Sequence, residues 1–244
     1  AKGGINIDLT IPTITYMDRT PANINGWNNS DVTVNWSCTD SLSGPEKGAI
    51  SQTVSQEGKD QSTTGTCTDN AGNTASNTQS GINIDKTAPA ITFLSRTPDA
   101  NLSGWNNSDV TVTWSCSDGL SDVVKATDVK TVIKEGANQS VQGACTDKAG
   151  NAVTATVSSI NIDKTAPAIT FLNRTPDANQ FGWNNVDVTV NWGCSDDLSG
   201  VVLGSDQKTV STEGANQSAQ GTCVDKAGNS ATNTVTGINI DKSK

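Results

Sequence analysis

Histidine is absent from this chain of 244 residues. That removes the commonest general base and the commonest zinc ligand, so Ser/His/Asp and Cys/His catalytic sets cannot be assembled. Basic charge is also scarce: Lys+Arg is 16 against Asp+Glu 25, for a net charge of −9. The deficit argues against nucleic acid as a partner, since that needs a basic patch, and against an anionic membrane surface. Apolar residues make up only 33% and aromatics 4%. One large core would need more, whereas several small cores held by extra staples fit. Apolar runs are short, Val201-Val202-Leu203 being typical, so no segment spans a membrane. The opening AKGGINID lacks the hydrophobic stretch of a signal peptide. For an exported protein it reads as the start of a mature or excised piece.

What the chain does have is repetition. Trp27, Trp105 and Trp183 are 78 positions apart, and Cys38, Cys116 and Cys194 keep that register, as do Cys67, Cys145 and Cys223. GINID at Gly81–Asp85 returns as SINID at Ser159–Asp163 and GINID at Gly237–Asp241. A further GINID at Gly4–Asp8 is one residue out of phase. These marks divide the chain into repeats at residues 1–84, 85–162 and 163–244. Because it starts and stops inside the joining motif, it reads as a slice of a longer array.

Each repeat is patterned as β. Val110, Val112, Trp114 and Cys116 share one parity, and Thr111, Thr113 and Ser115 the other. Such alternation puts the first set inward. Ile91 and Phe93 predict an earlier strand, and Val141, Gly143 and Cys145 a later one. Val153, Ala155 and Val157 predict the last, running on toward Ile160 and Ile162. Asp147–Asn151, DKAGN, reads as the hairpin turn between the last two. No 3.6-residue apolar stripe is sustained anywhere, so the expectation is all-β.

The two cysteines of each repeat lie 29 positions apart on strands predicted to face each other: Cys38 with Cys67, Cys116 with Cys145, Cys194 with Cys223. A zinc site would want clustered Cys or His, and a reactive thiol would want a basic partner. Disulfides across two sheets, in an oxidising compartment, are the better reading. Trp36, Trp114 and Trp192 precede the first cysteine by two on the same face, which predicts core rings packed on the bridges. Trp27, Trp105 and Trp183 sit in GWNN turns, where they either cap the repeat or offer a ring to sugar.

The inward Trp, the two cysteines and the paired sheets resemble an immunoglobulin-like sandwich. The DxAGN turn at Asp147–Asn151, the Asp85-Lys86-Thr87-Ala88-Pro89 junction and the 78-residue period are similar to tandem bacterial Ig-like repeats of surface, adhesin and filament proteins. The resemblance covers essentially the whole chain. It implies three Ig-like β-sandwich domains in an extended array, exported to the cell surface or medium, with no particular ligand named. Repeat 1 departs from it with Ile11-Pro12 where repeat 2 has Ala88-Pro89.

No catalytic set, phosphate loop or paired-carboxylate pocket is legible, and the chain is expected not to be an enzyme. Calcium is the one cofactor the sequence raises. In an Ig-like sandwich the entering chain lies beside the B–C and F–G loops. That would gather Asp85, Asp118, Asp122 and Asp147 in repeat 2, and Asp163, Asp196, Asp197 and Asp225 in repeat 3. Oxygen-rich sets of this kind suit a hard cation; equally, Asp and Asn cap turns with no ion at all. Asn-x-Ser/Thr sequons, such as Asn138-Gln139-Ser140, occur about as often as chance supplies them.

The sequence therefore leads to an extracellular stalk, fibre or filament of stapled repeats. The proline soon after each INID limits swing at the joint. A homopolymer is one form of this reading, because the opening INID copies the closing one and head-to-tail contacts that do not close make filaments. The other reading is an adhesin or carbohydrate-binding module, with Trp27, Trp105 and Trp183 as its readers and a surface receptor or glycan as its partner.

Overall fold

The computed structural model describes residues 4–243. Every regular element among them is a strand, and no helix is long and apolar enough to cross a membrane. Five strands recur three times. The first set is β1 (Thr13–Arg19), β2 (Val32–Thr39), β3 (Ala49–Val54), β4 (Gly58–Thr68) and β5 (Thr74–Ile84). The second is β6 (Ala90–Thr97), β7 (Val110–Ser117), β8 (Thr127–Val132), β9 (Gly136–Thr146) and β10 (Ala152–Ile162). The third is β11 (Ala168–Thr175), β12 (Val188–Ser195), β13 (Ser205–Val210), β14 (Gly214–Val224) and β15 (Ser230–Ile240). Each set makes a three-stranded sheet, such as β1-β2-β3, and a two-stranded one, such as β4-β5.

By contact the chain divides into two compact units. One comprises Ala1–Phe93, Trp114–Asp128 and Gly143–Ala155; the other comprises Leu94–Thr113, Val129–Gln142 and Thr156–Lys244. The division passes through the second repeat. In the first unit, Val32, Val34 and Trp36 of β2 pack on Ile82 and Ile84 of β5, with Ile14, Ile50 and Val54 at the margin. In the second, Val188, Val190 and Trp192 of β12 pack on Ala219, Ile238 and Ile240, flanked by Ile169, Val210 and Val235. The alternation on β2, β7 and β12 is as the sequence requires: the Val, Val and Trp positions are all 0–1% exposed.

Two features of the core follow from single residues. A glycine faces the tryptophan of each central strand: Gly65 lies against Trp36, Gly143 against Trp114 and Gly221 against Trp192. The indole Nε1 of Trp36 donates to Asn77 Oδ1 at 2.9 Å and that of Trp192 to Asn233 Oδ1 at 3.0 Å. The second repeat carries Ala155 at that position, and the buried Trp114 Nε1 has no partner among the described residues.

The last strand of each repeat changes parity partway. Val235 faces inward, and so do Ile238 and Ile240, although one extra residue separates them. The register accounts for this: Gln217 pairs with Ile238 while Ala219 pairs with Val235, so two steps on β14 meet three on β15. The bulge puts Gly237 at φ 72°, Gly81 at 68° and Ser159 at 60°. Only glycine adopts that region freely. A Cβ at Gly81 or Gly237 would meet nothing within 4 Å, so the strain at Ser159 is in the backbone alone. Ser159→Gly is therefore expected to stabilise the protein by about 1 kcal/mol in urea unfolding. A midpoint unchanged or lowered by that substitution would count against this account of the bulge.

The opening GINID does not enter a strand. Ile5 and Ile7 are 88% and 71% exposed, against 0–2% for Ile82, Ile84, Ile160, Ile162, Ile238 and Ile240.

Candidate functional site

The cysteines are all bonded: Cys38–Cys67, Cys116–Cys145 and Cys194–Cys223, with Cα–Cα distances of 5.7, 5.6 and 5.6 Å. Each bond ties the central strand of a three-stranded sheet to the first strand of its two-stranded sheet. Just beyond both anchored strands the chain turns, and there the acidic residues gather.

Three carboxylates converge at the entry to each repeat. Asp8, Asp40 and Asp69 form one trio, Asp85, Asp118 and Asp147 the second, and Asp163, Asp196 and Asp225 the third. In each trio one oxygen of every member lies within 4.8 Å of those of the others. Asp69, Asp85, Asp147, Asp163 and Asp225 are all buried to 1% exposure or less.

Local structure explains why each aspartate is where it is. Asp118 follows β7 and one of its oxygens accepts the amides of Leu120, Ser121 and Asp122 at 2.8–3.1 Å, closing the loop. Asp147 follows β9 and caps the DKAGN turn, taking the amides of Gly150 and Asn151 and the side-chain amide of Asn151. Asp85 accepts from the amides of Thr87 and Ser121, and its own carbonyl accepts from Asn151 Nδ2 at 2.8 Å. The junction aspartate is thereby fixed to both loops of the repeat it leads into. Asp163 repeats the arrangement through Thr165, Ser199 and Asn229.

In the first trio, hydrogen bonds favour the ionised form of two members. Hydrogen bonds from Ser43 and Thr10 hold the Asp8 carboxyl below its ordinary value. Burial alone would raise Asp69, but bonds from Asn73 and Ala71 outweigh it and the net shift is downward. The lysine after each junction aspartate is directed elsewhere: Lys86 pairs with Asp31, Lys164 with Asp109 and Lys242 with Asp187. In the second and third trios, therefore, the lysine next to the junction aspartate serves another carboxylate, and Asp8 of the first is followed by Leu9.

Two of the sequence-derived candidates stand outside the trios. Asp122 is ion-paired to Lys148 at 2.7 Å, and its carboxyl is held low by that partner. Asp197 is exposed beside Asp196 and belongs to no trio. Conversely Asp8, Asp40 and Asp69 were not singled out, although the repeat period places Asp40 and Asp69 in register with Asp118 and Asp147.

A second set at the junction was also missed. Glu57 accepts the backbone amide of Lys86 and the hydroxyl of Thr87, while Lys86 Nζ bonds Asp31 at 2.8 Å and the Ser55 carbonyl at 2.6 Å. Glu135, Lys164, Thr165 and Asp109 do the same, as do Glu213, Lys242 and Asp187. The constant 29 residues from Glu to Lys was the legible signal.

The GWNN loops take different environments. Trp27 is buried at 7%, Trp105 is partly buried and Trp183 is 37% exposed. The loop before Trp27 docks on the DKAGN turn: Asn23 Nδ2 donates to the carbonyls of Lys148 and Ala149 at 2.8 and 3.1 Å, and Asn25 Nδ2 to Lys148. Asn101 Nδ2 docks likewise on Lys226 and Ala227 at 2.9 and 3.2 Å.

No protein-family model matches the chain, and no curated protein matches it. Solved structures do. A 1.5-MDa bacterial ice-binding adhesin, described for host cell surface retention, is 18% identical over 96% of this chain and 100% of its own, with a TM-score of 0.33. A Ca2+-stabilised adhesin with which an Antarctic bacterium binds ice is 16% identical over 96% of this chain and 75% of its own, with a TM-score of 0.35. A glucan utilisation-locus protein, SGBP-B, of Bacteroides ovatus, solved with a mixed-linkage heptasaccharide, is 12% identical over 95% and 71%, with a TM-score of 0.21. At such identities and TM-scores the three are likenesses and no more.

Proposed function

We propose that the chain is a non-catalytic, extracellular structural arm. In this reading three Ig-like β-sandwich domains, residues 1–84, 85–162 and 163–244, follow one another in an extended, semi-rigid array, with a calcium ion bracing each entry. Its partners are other copies of itself or a surface receptor or glycan. One observation carries the proposal: at all three entries an aspartate of the joining segment meets two loop aspartates of the next repeat. Three carboxylates so close repel one another, and a hard cation relieves that repulsion with the oxygen ligands it prefers. Backbone carbonyls and water would complete its six to eight ligands. Because the ligands come from both sides of the joint, the ion would stiffen it. The Glu57, Lys86 and Asp31 clamp adds to this on the preceding side.

Three disulfides support export, since such bonds persist in oxidising compartments. They also support a mechanical role, because covalent ties across the sheets keep each repeat folded when the arm is pulled.

Calorimetry and small-angle scattering on one sample, with calcium and then with chelator, test the proposal. Saturating calcium is expected to raise the melting midpoint, by about 2–3 kcal/mol of stability per site at a hundredfold excess over its dissociation constant. Asp85→Asn and Asp163→Asn are each expected to remove one site's share. Scattering should describe a rod about three repeats long. A midpoint indifferent to chelator defeats the calcium part, and a compact-particle profile defeats the arm.

A further inference from the structure

Every cysteine of the chain stands two positions before an aspartate of a trio. Cys116 and Cys145 precede Asp118 and Asp147 in this way, and the other two repeats keep the same register. Two residues along a strand span about 7 Å and return to the same face. Each bridge therefore lies at the base of the two loops that supply its trio. Among the described residues β7 and β9 are not neighbours in a sheet. The spacing of Asp118 and Asp147 is set by the sulfur bond, with a Cα–Cα distance of 5.6 Å, and by two backbone bonds farther out, Val124 to Thr146 and Lys148 to Asp122.

A hydroxyl marks the second trio as a place for a ligand. Ser121 is 3% exposed, and its amide donates to Asp85 Oδ2 and Asp118 Oδ2 at 3.0 and 2.9 Å. Its buried Oγ has no partner among the described residues. In the other repeats the equivalent hydroxyls, of Ser43 and Ser199, turn to Asp40 and Asp196 at 3.4 and 3.3 Å, so this position faces its trio. A buried oxygen without a partner costs free energy, and a cation among the three carboxylates would supply one. The sulfurs are covered as well: Cys116, Cys145 and Cys223 are 8%, 1% and 1% exposed. A thiolate must reach one sulfur to open a bridge, so a covered bridge is reduced only when the structure over it opens. The irregular segments that begin within two residues of these cysteines are the aspartate loops.

We propose that each bridge and the cation site beside it form one redox-linked device. The bound ion holds the aspartate loops shut over the sulfurs and shields the bridge from thiol reductants, and the intact bridge holds two of the ion's carboxylates at their working distance. The proposal rests on reading the trios as cation sites. In the exchange a dithiol reductant passes two electrons and two protons to the bridge: the S–S bond breaks to two cysteine thiols, and the reductant's own two sulfurs join as a disulfide. Once the bridge is open, the loops must be drawn together against chain entropy before they can share an ion, so affinity falls. Coupling is reciprocal, and the factor by which the bridge strengthens the ion is the factor by which the ion strengthens the bridge. The joints are thereby locked where the hard cation is plentiful and thiols are scarce, and loosened where the reverse holds.

The test treats the full oxidised chain with dithiothreitol, in the cold and without denaturant, in calcium or in chelator. Freed thiols are alkylated at intervals, and peptide mass spectrometry follows each bridge separately. Calcium is expected to slow reduction of Cys116–Cys145 and Cys194–Cys223 about tenfold, and to shift their final oxidised-to-reduced ratio in a dithiothreitol redox buffer by a similar factor. Asp163→Asn should abolish both effects at Cys194–Cys223 and leave them at Cys116–Cys145, the control in the same tube. Gly221→Ala loosens the core of the third repeat without touching its trio, and should leave the rate in chelator as it was. Unchanged circular dichroism confirms that each variant is folded. The proposal is overturned if calcium raises the melting midpoint yet leaves rate and ratio unchanged; the braced arm would then stand without this coupling. It is also overturned if Asp163→Asn keeps the protection at Cys194–Cys223. The same follows if Gly221→Ala speeds reduction as much as chelator does, since unfolding of the whole repeat would then govern the bond. A midpoint indifferent to calcium would remove both this coupling and the reading beneath it.

Discussion

Replacing Cys194 and Cys223 together by alanine is expected to cost the third repeat about 3–4 kcal/mol. The bond closes a loop 29 residues long between β12 and β14. On the chain-entropy account, cutting a loop of that size releases roughly 3.5 kcal/mol of freedom to the unfolded chain. The buried core it supports is small, six residues with three at the margin. A domain of fewer than about 80 residues seldom has more than about 3–5 kcal/mol from its core. The loss should appear as a fall of roughly 15–25 °C in the midpoint assigned to that repeat. Reduction of the natural protein should do the same to all three. If strong reductant leaves the melting curve where it was, the staples are ornamental and the inference of an oxidising compartment loses its energetic basis.

Gly221→Ala should come next in size, at about 3 kcal/mol, for the addition of a single methyl group. A Cβ there would lie 2.4 Å from Cδ2 and 2.5 Å from Cε3 of Trp192, closer than side-chain carbons approach one another. The ring has nowhere to go. Its Nε1 is bonded to Asn233, and Val188, Val190, Ile238 and Ile240 are packed around it. Gly204→Ala is the control, because a Cβ at that position meets nothing within 4 Å. Urea unfolding of the pair separates crowding from the loss of a glycine. Equal stability of the two variants would show that the ring can move aside, and the jigsaw account of this core would be wrong.

Gly221 also shows how much of the core was legible. The period and parity placed Gly143, in the second repeat, on the inward face between Val141 and Cys145, but could not say what stood opposite. That is a relation between β9 and β7, strands that are distant in sequence. The change of parity before Ile160 was likewise written in the sequence, where Val157 and Ile160 differ by an odd number. Reading it as a bulge required the register of the neighbouring strand. Asp122 and Asp197 share the acidic loops of Asp118 and Asp196, yet only one aspartate of each of those loops reaches its trio. The period alone would have favoured Asp40, Asp118 and Asp196, the positions that recur in register.

The amino-acid order by itself determined four of the five strands of each repeat, their inward faces and the cysteine partners, but not β3, β8 and β13, which are largely exposed. Those depend on alternation along one strand and on a spacing that repeats three times, both of which are local. Tertiary structure alone decided which aspartates meet, which tryptophans are covered and which glycines lie beneath a ring. Each of those is set by where two loops or two sheets come to rest against each other. Burial and convergence of charge are properties of the space between segments, and no single segment carries them.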